Sequence, residues 1–231
     1  PGKAAADSAP VRIVLDDGSE LAIWDALMPA WATLSGAIEP EQALHALDAA
    51  LQRLERANLI QLVDPAFGED SVPYRGRIAD YPPGVRENGG QYSHGASWLV
   101  DAFVELSDRA AAAGDKAAAA SLRDQAIEIW GKVSPVDRYG PGATDRYGLP
   151  PHQQPADVYF GEGYEGRGGW SWYTGSAGRM LAAAHAILGI RMANGELVVP
   201  ADLMHPKGAL QVEALTWQGR DVTPAALRRT A

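Results

Sequence analysis

Two short stretches, Tyr81–Trp98 and Tyr164–Gly178, alternate glycine, aromatic and polar residues and interrupt runs of helical spacing. That mixture makes neither a good helix nor a good strand, so each stretch is expected as an ordered loop, where binding residues concentrate. The chain holds 25 glycines, and 7 tryptophans against 3 phenylalanines, and these excesses gather in the same two stretches. The residues around them must supply the frame. Leu21, Trp24, Leu27, Met28, Trp31 and Leu34 form one helical stripe, stopped by Gly36. Pro40 and Glu41 open a second helix, with Leu44, Leu47, Leu51 and Leu54 as its buried row. Leu99, Phe103 and Leu106 predict a third helix ending at Gly114. Leu122, Ala126, Ile129 and Trp130 predict a fourth, closed by Gly131 and Pro135. Ser176–Gly189 reads as a fifth, with Met180, Leu181, Ala184, Ile187 and Leu188 inward.

Between these helices, Val63–Pro83 and Val136–Trp172 have no period and are expected as long functional loops. Val11–Leu15, Leu197–Val199, Ala209–Leu215 and Trp217 read as short strands. Helix pairs with short connections at one end and long decorated loops at the other suggest a helical toroid. Five helices do not close a ring of pairs, so the expected fold is mainly α. It is a partial (α/α)6 toroid, about half of the helices, with short N-terminal strands and a small C-terminal β region. The expected organisation is a linking segment at 1–10, toroid from 11 to 192, and a β-rich segment from 193 to 231.

Composition removes several classes of function. With 46% apolar and 21% charged residues the chain has enough apolar sequence for a core. Twenty Lys and Arg against 29 Asp and Glu leave a net charge of −9, which argues against a nucleic-acid binder needing a basic face. There is no cysteine, hence no disulfide, thiolate or Cys-based zinc site. Pro1–Pro10 has no apolar core of a signal peptide, and Met180–Ile190 is too short and polar to span a bilayer. The expected location is cytoplasmic.

The segment Tyr81-Pro-Pro-Gly-Val-Arg-Glu-Asn-Gly-Gly-Gln-Tyr-Ser-His94 is the most specific. Gly89-Gly90 allows close backbone approach to a ligand, Arg86 and Glu87 offer opposite charges, and Asn88 and Gln91 offer two-ended amides. The set suits a hydroxyl-rich ligand, and it also suits a structural turn with a surface Arg–Glu pair. In the second segment, Thr174, Gly175 and Ser176 open the fifth helix, where unpaired N–H groups and the helix dipole attract an anion. The same residues suit plain N-capping by Thr174 or Ser176, and residue types do not separate the two uses.

These two segments, with weaker matches at Asp16–Gly18, Trp31–Gly36, Ala156–Tyr159 and Ile187–Ile190, resemble the inverting glycoside phosphorylases of the cellobiose, chitobiose and β-1,2-oligoglucan phosphorylase family. The chain is most similar to the phosphorylase-like C-terminal domain of cyclic β-1,2-glucan synthases. The resemblance implies an (α/α)6 catalytic toroid and reversible phosphorolysis of a β-glucan oligosaccharide, with inorganic phosphate as co-substrate and no cofactor or metal. It implies that His94, Thr174 and Gly175 hold phosphate, and that Arg86, Glu87 and Tyr81 line sugar subsites. Ser176 joins the phosphate set as a hydroxyl donor at the helix start, and Gln91, Trp170 and Trp172 join the sugar set as hydrogen-bonding and stacking groups. The chemistry needs one carboxylic acid on the leaving oxygen, because phosphate is itself the nucleophile, whereas an inverting hydrolase needs a second carboxylate.

The family's acid is an aspartate in a Trp-Asn-Asp-Gly-like motif, and no such motif occurs here; Asp16, Asp17 and Asp25 stand in other contexts. The chain therefore reads as a C-terminal fragment of a catalytic domain, inactive alone, whose exposed helix stripes call for a complementary chain or self-association. The resemblance leaves open a parent tethered to the inner membrane. Departures from the family pattern fall at His152–Pro155, Gly161–Gly166 and Arg179. The alternatives are a non-catalytic carbohydrate-binding or structural domain, and an inverting hydrolase using Glu87 or Asp157 as base. His45 and His185 are expected to be structural, while His152 and His205 fall in loops.

Overall fold

The computed structural model describes residues 11–14, 18–68, 76–138, 142–150, 153–172, 174–199, 214 and 216–223. Expectations for 1–10, for His152 and His205 and for most of 209–215 lie outside them. The chain opens with β1 (Val11–Val14) and β2 (Glu20–Asp25), paired antiparallel. A short β3 (Val63–Asp64) adds to the other edge of β2. Then come α1 (Leu27–Leu34), α2 (Pro40–Leu54), α3 (Ser93–Ala112) and α4 (Lys116–Val133). A five-residue α5 (Ala143–Tyr147) and α6 (Ser176–Ile187) complete the α-helices among the described residues. The fold is mainly α with small sheets.

Helix α3 is central, because α1, α4 and α6 all pack on it. Its stripe of Leu99, Val100, Phe103 and Leu106 is fully buried or nearly so. Each such side chain contributes roughly 1.5–3 kcal/mol by leaving water. The α3–α4 turn follows from two residues. Gly114 takes a φ of +86°, and the Asp115 carboxylate accepts the N–H of Ala118 at 2.9 Å to start the next helix. Pro40 stands at the first position of α2, whose buried row includes Leu47, Leu51 and Leu54.

The first expected stripe is corrected. Leu21 and Trp24 belong to β2, and the helix starts only after Asp25, whose Oδ1 accepts the N–H groups of Leu27 and Met28 at 2.8 Å each. A strand followed by a two-turn helix imitates one long helical stripe when its apolar residues happen to fall three or four apart. Once α1 begins at Leu27, Ala30 and Thr33 face the core, while Met28 and Trp31 are half exposed. Trp31 instead meets the Trp98 ring edge-on at 4.9 Å. Gly131 does not end α4, which runs to Val133. In α6 the inward residues are Met180, Ala183 and Ile187, and Leu181 is turned to solvent.

The two long loops are punctuated rather than structureless. Residues 76–80 and 136–138 form 3₁₀ turns, and β5 (Asp157–Val158) pairs antiparallel with β4 (Gln91–Tyr92). Beyond α6, hairpins β6–β7 (Arg191–Ala193, Glu196–Val198) and β8–β9 (Thr216–Trp217, Arg220–Asp221) follow. No helix of the described residues is long and apolar enough to cross a membrane.

Candidate phosphate and sugar site

Residues 155–160 lie between the two glycine-aromatic segments and bind both. On one side Tyr92 pairs with Asp157, Ser93 N donates to Ala156 O at 2.9 Å, and Phe160 N donates to Gly84 O at 2.7 Å. On the other, Ala156 N donates to Trp170 O, Gly169 N to Asp157 O, and Ser176 Oγ to Pro155 O at 2.9 Å. This shared ribbon carries His94, the second residue of α3, to the head of α6. A Cβ built on Gly175 would stand 3.0 Å from both Cε1 and Nδ1 of His94. A side chain at this position would press the imidazole back by a few tenths of an ångström.

His94 is half-buried, stacked on Tyr92 with ring centroids 6.0 Å apart and met edge-on by Trp98 at 5.1 Å. Burial, and secondarily the Arg179 guanidinium, lower its pKa from the ordinary imidazole value. A depressed histidine pKa means that the fold loses stability as pH falls below about 6.5, since the unfolded chain takes the proton more readily. In an NMR titration the His94 midpoint should lie below about 6.5 and rise when phosphate is added, because protonation and anion binding favour each other. A free midpoint at or above the ordinary value, or one that phosphate leaves in place, contradicts this.

Proton counting fixes the hydroxyls. Ser176 Oγ gives its only proton to Pro155 O, so Thr174 is the donor in the 2.8 Å contact between their hydroxyls. Thr174 Oγ1 also accepts the Ser176 N–H at 3.1 Å. That contact is a threonine turn leading into α6, whose N-cap is Gly175 with no side-chain cap bond, and Ser176, fully buried with its hydroxyl and N–H both engaged, is corrected from ligand donor to anchor of the turn. Gly175, Ala177 and Gly178 are exposed, and their N–H groups have no acceptor inside the helix. These N–H groups, the neighbouring His94 imidazole and the Thr174 hydroxyl are donors of the kind an oxyanion takes.

The sugar candidates divide. Arg86 adopts a left-handed φ of +52°, stands 5.5 Å from the Tyr81 ring centroid, and keeps its Nε 3.7 Å from Glu87. Arg86, Trp170 and Trp172 line a groove of about 490 Å³ with Tyr159, Tyr164 and Arg167. Trp172 is 85% exposed, a flat face with room for a stacked ring. Gln91 is corrected. It is fully buried, with Oε1 accepting Ile60 N and Nε2 donating to Ser93 Oγ, so both ends of its amide are used within the chain. Asn88 likewise binds Phe67 and the Tyr81 carbonyl, tying the loop down.

Asp157 sits under this groove at 3% exposure, one carboxylate oxygen accepting Trp170 N at 3.2 Å. Burial raises its pKa, with Arg86 opposing and Glu87 adding to the rise. Tyr159, Arg167 and Arg179 are the residues that sequence reasoning did not place at the site. Tyr159 and Arg167 enter through their pairing across the ribbon, Tyr159 N to Arg167 O at 2.8 Å, which has no periodic signal. A larger cavity of about 890 Å³, among Glu55, Trp130, Lys132, Arg138 and Tyr147, contains none of the candidate residues. Among the described residues no group of three His, Asp or Glu side chains is placed to hold a metal ion.

Comparison with known proteins agrees with the motifs. Residues 16–189 match the glycosyl hydrolase 94 superfamily, catalytic domain. The chain is 37% identical over 180 residues to cyclic beta-(1,2)-glucan synthase NdvB of Rhizobium meliloti (strain 1021), covering 76% of this chain and 6% of that protein. It is 28% identical over 155 residues to solabiose phosphorylase of Paenibacillus borealis, covering 66% of this chain and 18% of that protein. The chain thus spans a small part of either relative.

Proposed function

The chain belongs to the glycosyl hydrolase 94 superfamily through its catalytic domain, and from that premise we propose that it carries the phosphate side and part of the sugar side of an inverting phosphorylase-type site for β-glucans. One observation carries the reading: the His94 imidazole against Gly175 at the donor-rich start of α6. There His94, the Thr174 hydroxyl and the α6 amides hold inorganic phosphate by charge-assisted bonds, with no cofactor. A phosphate oxygen attacks the anomeric carbon from the face opposite the glycosidic bond. That bond breaks, its oxygen takes a proton from a carboxylic acid, and a sugar 1-phosphate of inverted configuration leaves. The acid is an aspartate supplied by the rest of the parent, so this chain alone is inactive. Residues 11–192 contribute helices to an (α/α)6 toroid and 193–231 a β-rich segment. Met28, Trp31 and Leu181, exposed and apolar, support a surface covered by the remaining toroid or by a second copy.

Inorganic phosphate titrated into this chain in a calorimeter should bind, and His94→Ala or Thr174→Val should weaken binding by about tenfold or more, the loss of one charge-assisted hydrogen bond. Wild-type chain that ignores phosphate yet binds a β-glucan oligosaccharide would instead favour the second reading, a carbohydrate-binding domain, for which the exposed Trp170 and Trp172 speak. An inverting hydrolase fits less well, because Asp157 is too buried to hold an attacking water, Glu87 faces Arg86 at 3.7 Å, and the His94 and Thr174 donors have no use in that chemistry.

A further inference from the structure

Arg179 lies one turn into α6, its N–H bonded to Gly175 O at 3.1 Å, and its side chain crosses to α3. There it pairs with Asp101 and lies 3.4 Å from Ser97 Oγ, whose own hydroxyl donates to His94 O at 2.6 Å. One side chain therefore links the turn bearing Thr174 and Gly175 to the helical turn bearing His94. Resting on the phosphate reading above, we propose that Arg179, held by Asp101, is a positioning residue that sets the spacing between His94 and the Thr174–Gly175 turn, and so determines how tightly the pocket grips phosphate.

Two features make the link specific. Both side chains of the Arg179–Asp101 pair are about three-quarters shielded from solvent, so the pair is less screened than a surface bridge and holds its geometry. The guanidinium also acts on the imidazole, helping to keep His94 neutral.

Positioning and simple attraction give opposite results at Asp101. If Arg179 acted only as a nearby positive charge, Asp101→Asn would strengthen phosphate binding by removing a competing carboxylate. If it positions, Asp101→Asn frees the guanidinium and weakens binding. Inorganic phosphate binding by the full chain is measured by calorimetry for wild type, Arg179→Met, Arg179→Lys, Asp101→Asn and the exchanged pair Arg179→Asp with Asp101→Arg. Circular dichroism and Tm establish that each variant is folded, and Asp101→Asn and Arg179→Lys serve should Arg179→Met fail to fold. We expect at least tenfold weaker binding for Arg179→Met, at least fivefold for Asp101→Asn, partial loss for Arg179→Lys and recovery to within threefold in the exchanged pair. The His94 NMR midpoint should rise in Arg179→Met, which loss of mere scaffolding would not produce. Folded Arg179→Met or Asp101→Asn binding within twofold of wild type, or tighter binding in Asp101→Asn, overturns the proposal while the phosphate site stands. A wild-type chain that binds no phosphate overturns both.

Discussion

Replacing Arg123 with methionine is expected to cost about 3 kcal/mol of stability, a fall in Tm of roughly 6–12 °C for a chain of this length. Arg123 is 1% exposed although it carries a full charge. Its guanidinium donates to Ala186 O at 3.0 Å and Ile187 O at 3.4 Å and pairs with Asp108. The two carbonyls close the C-terminal end of α6, where the helix itself provides no donors and a cation is favoured. Methionine fills most of the volume but removes the buried donor from Ile187 O and leaves Ala186 O to the Gly189 N–H at 2.9 Å. Asp108→Asn should cost less, because the asparagine carbonyl still accepts from the guanidinium and both backbone carbonyl contacts remain. Thermal melts of the two variants check the ordering; equal losses, or a methionine variant as stable as wild type, would mean that the cap is not what holds α6.

Gly84→Ala is the second large effect, and it acts at the site rather than the core. Gly84 combines a φ of +82° with a packed environment, since a Cβ there would stand 2.3 Å from Gly161 N and 2.5 Å from Phe160 C. Both are backbone atoms with no rotamer to change, so the 81–94 loop must lift off the 155–160 ribbon and break the Phe160 N to Gly84 O bond. The left-handed conformation alone costs about 1–2 kcal/mol for alanine, and overlap with backbone adds about 1–3 kcal/mol. Gly163→Ala provides the control. It has a similar φ of +77° with nothing near its Cβ, so only the conformational part applies. A Gly84→Ala chain that loses no more stability than Gly163→Ala, or that loses stability but keeps full phosphate affinity, would show that this loop contact does not shape the site.

How far the sequence could be read differs from element to element. The α2 stripe and the Gly114–Asp115 turn were legible because each depends on local rules, a 3.6-residue period, proline at a helix start and glycine in the left-handed region. Leu21–Leu34 misled because β2 is short and ends on a capping aspartate, and over two turns a strand plus a helix matches a helical stripe as well as one helix does. The two binding segments stood out through their glycine and aromatic content, but the destinations of individual side chains did not. Gln91 and Ser176 have the residue types of ligand groups and are spent inside the chain, on Ile60, Ser93 and Pro155. An amide or hydroxyl looks the same in sequence whether its partner is a ligand or a carbonyl thirty residues away.

The amino-acid sequence by itself determined the helical character, the main turn positions and the two segments rich in polar and aromatic groups, since these follow from interactions between near neighbours. Tertiary structure alone decided that residues 155–160 join those segments, that the His94 ring reaches Gly175, and that Arg123 and Arg179 bridge α6 to its neighbours. The physical reason is that buried polar groups must find partners wherever packing brings them, and those partners lie tens of residues apart.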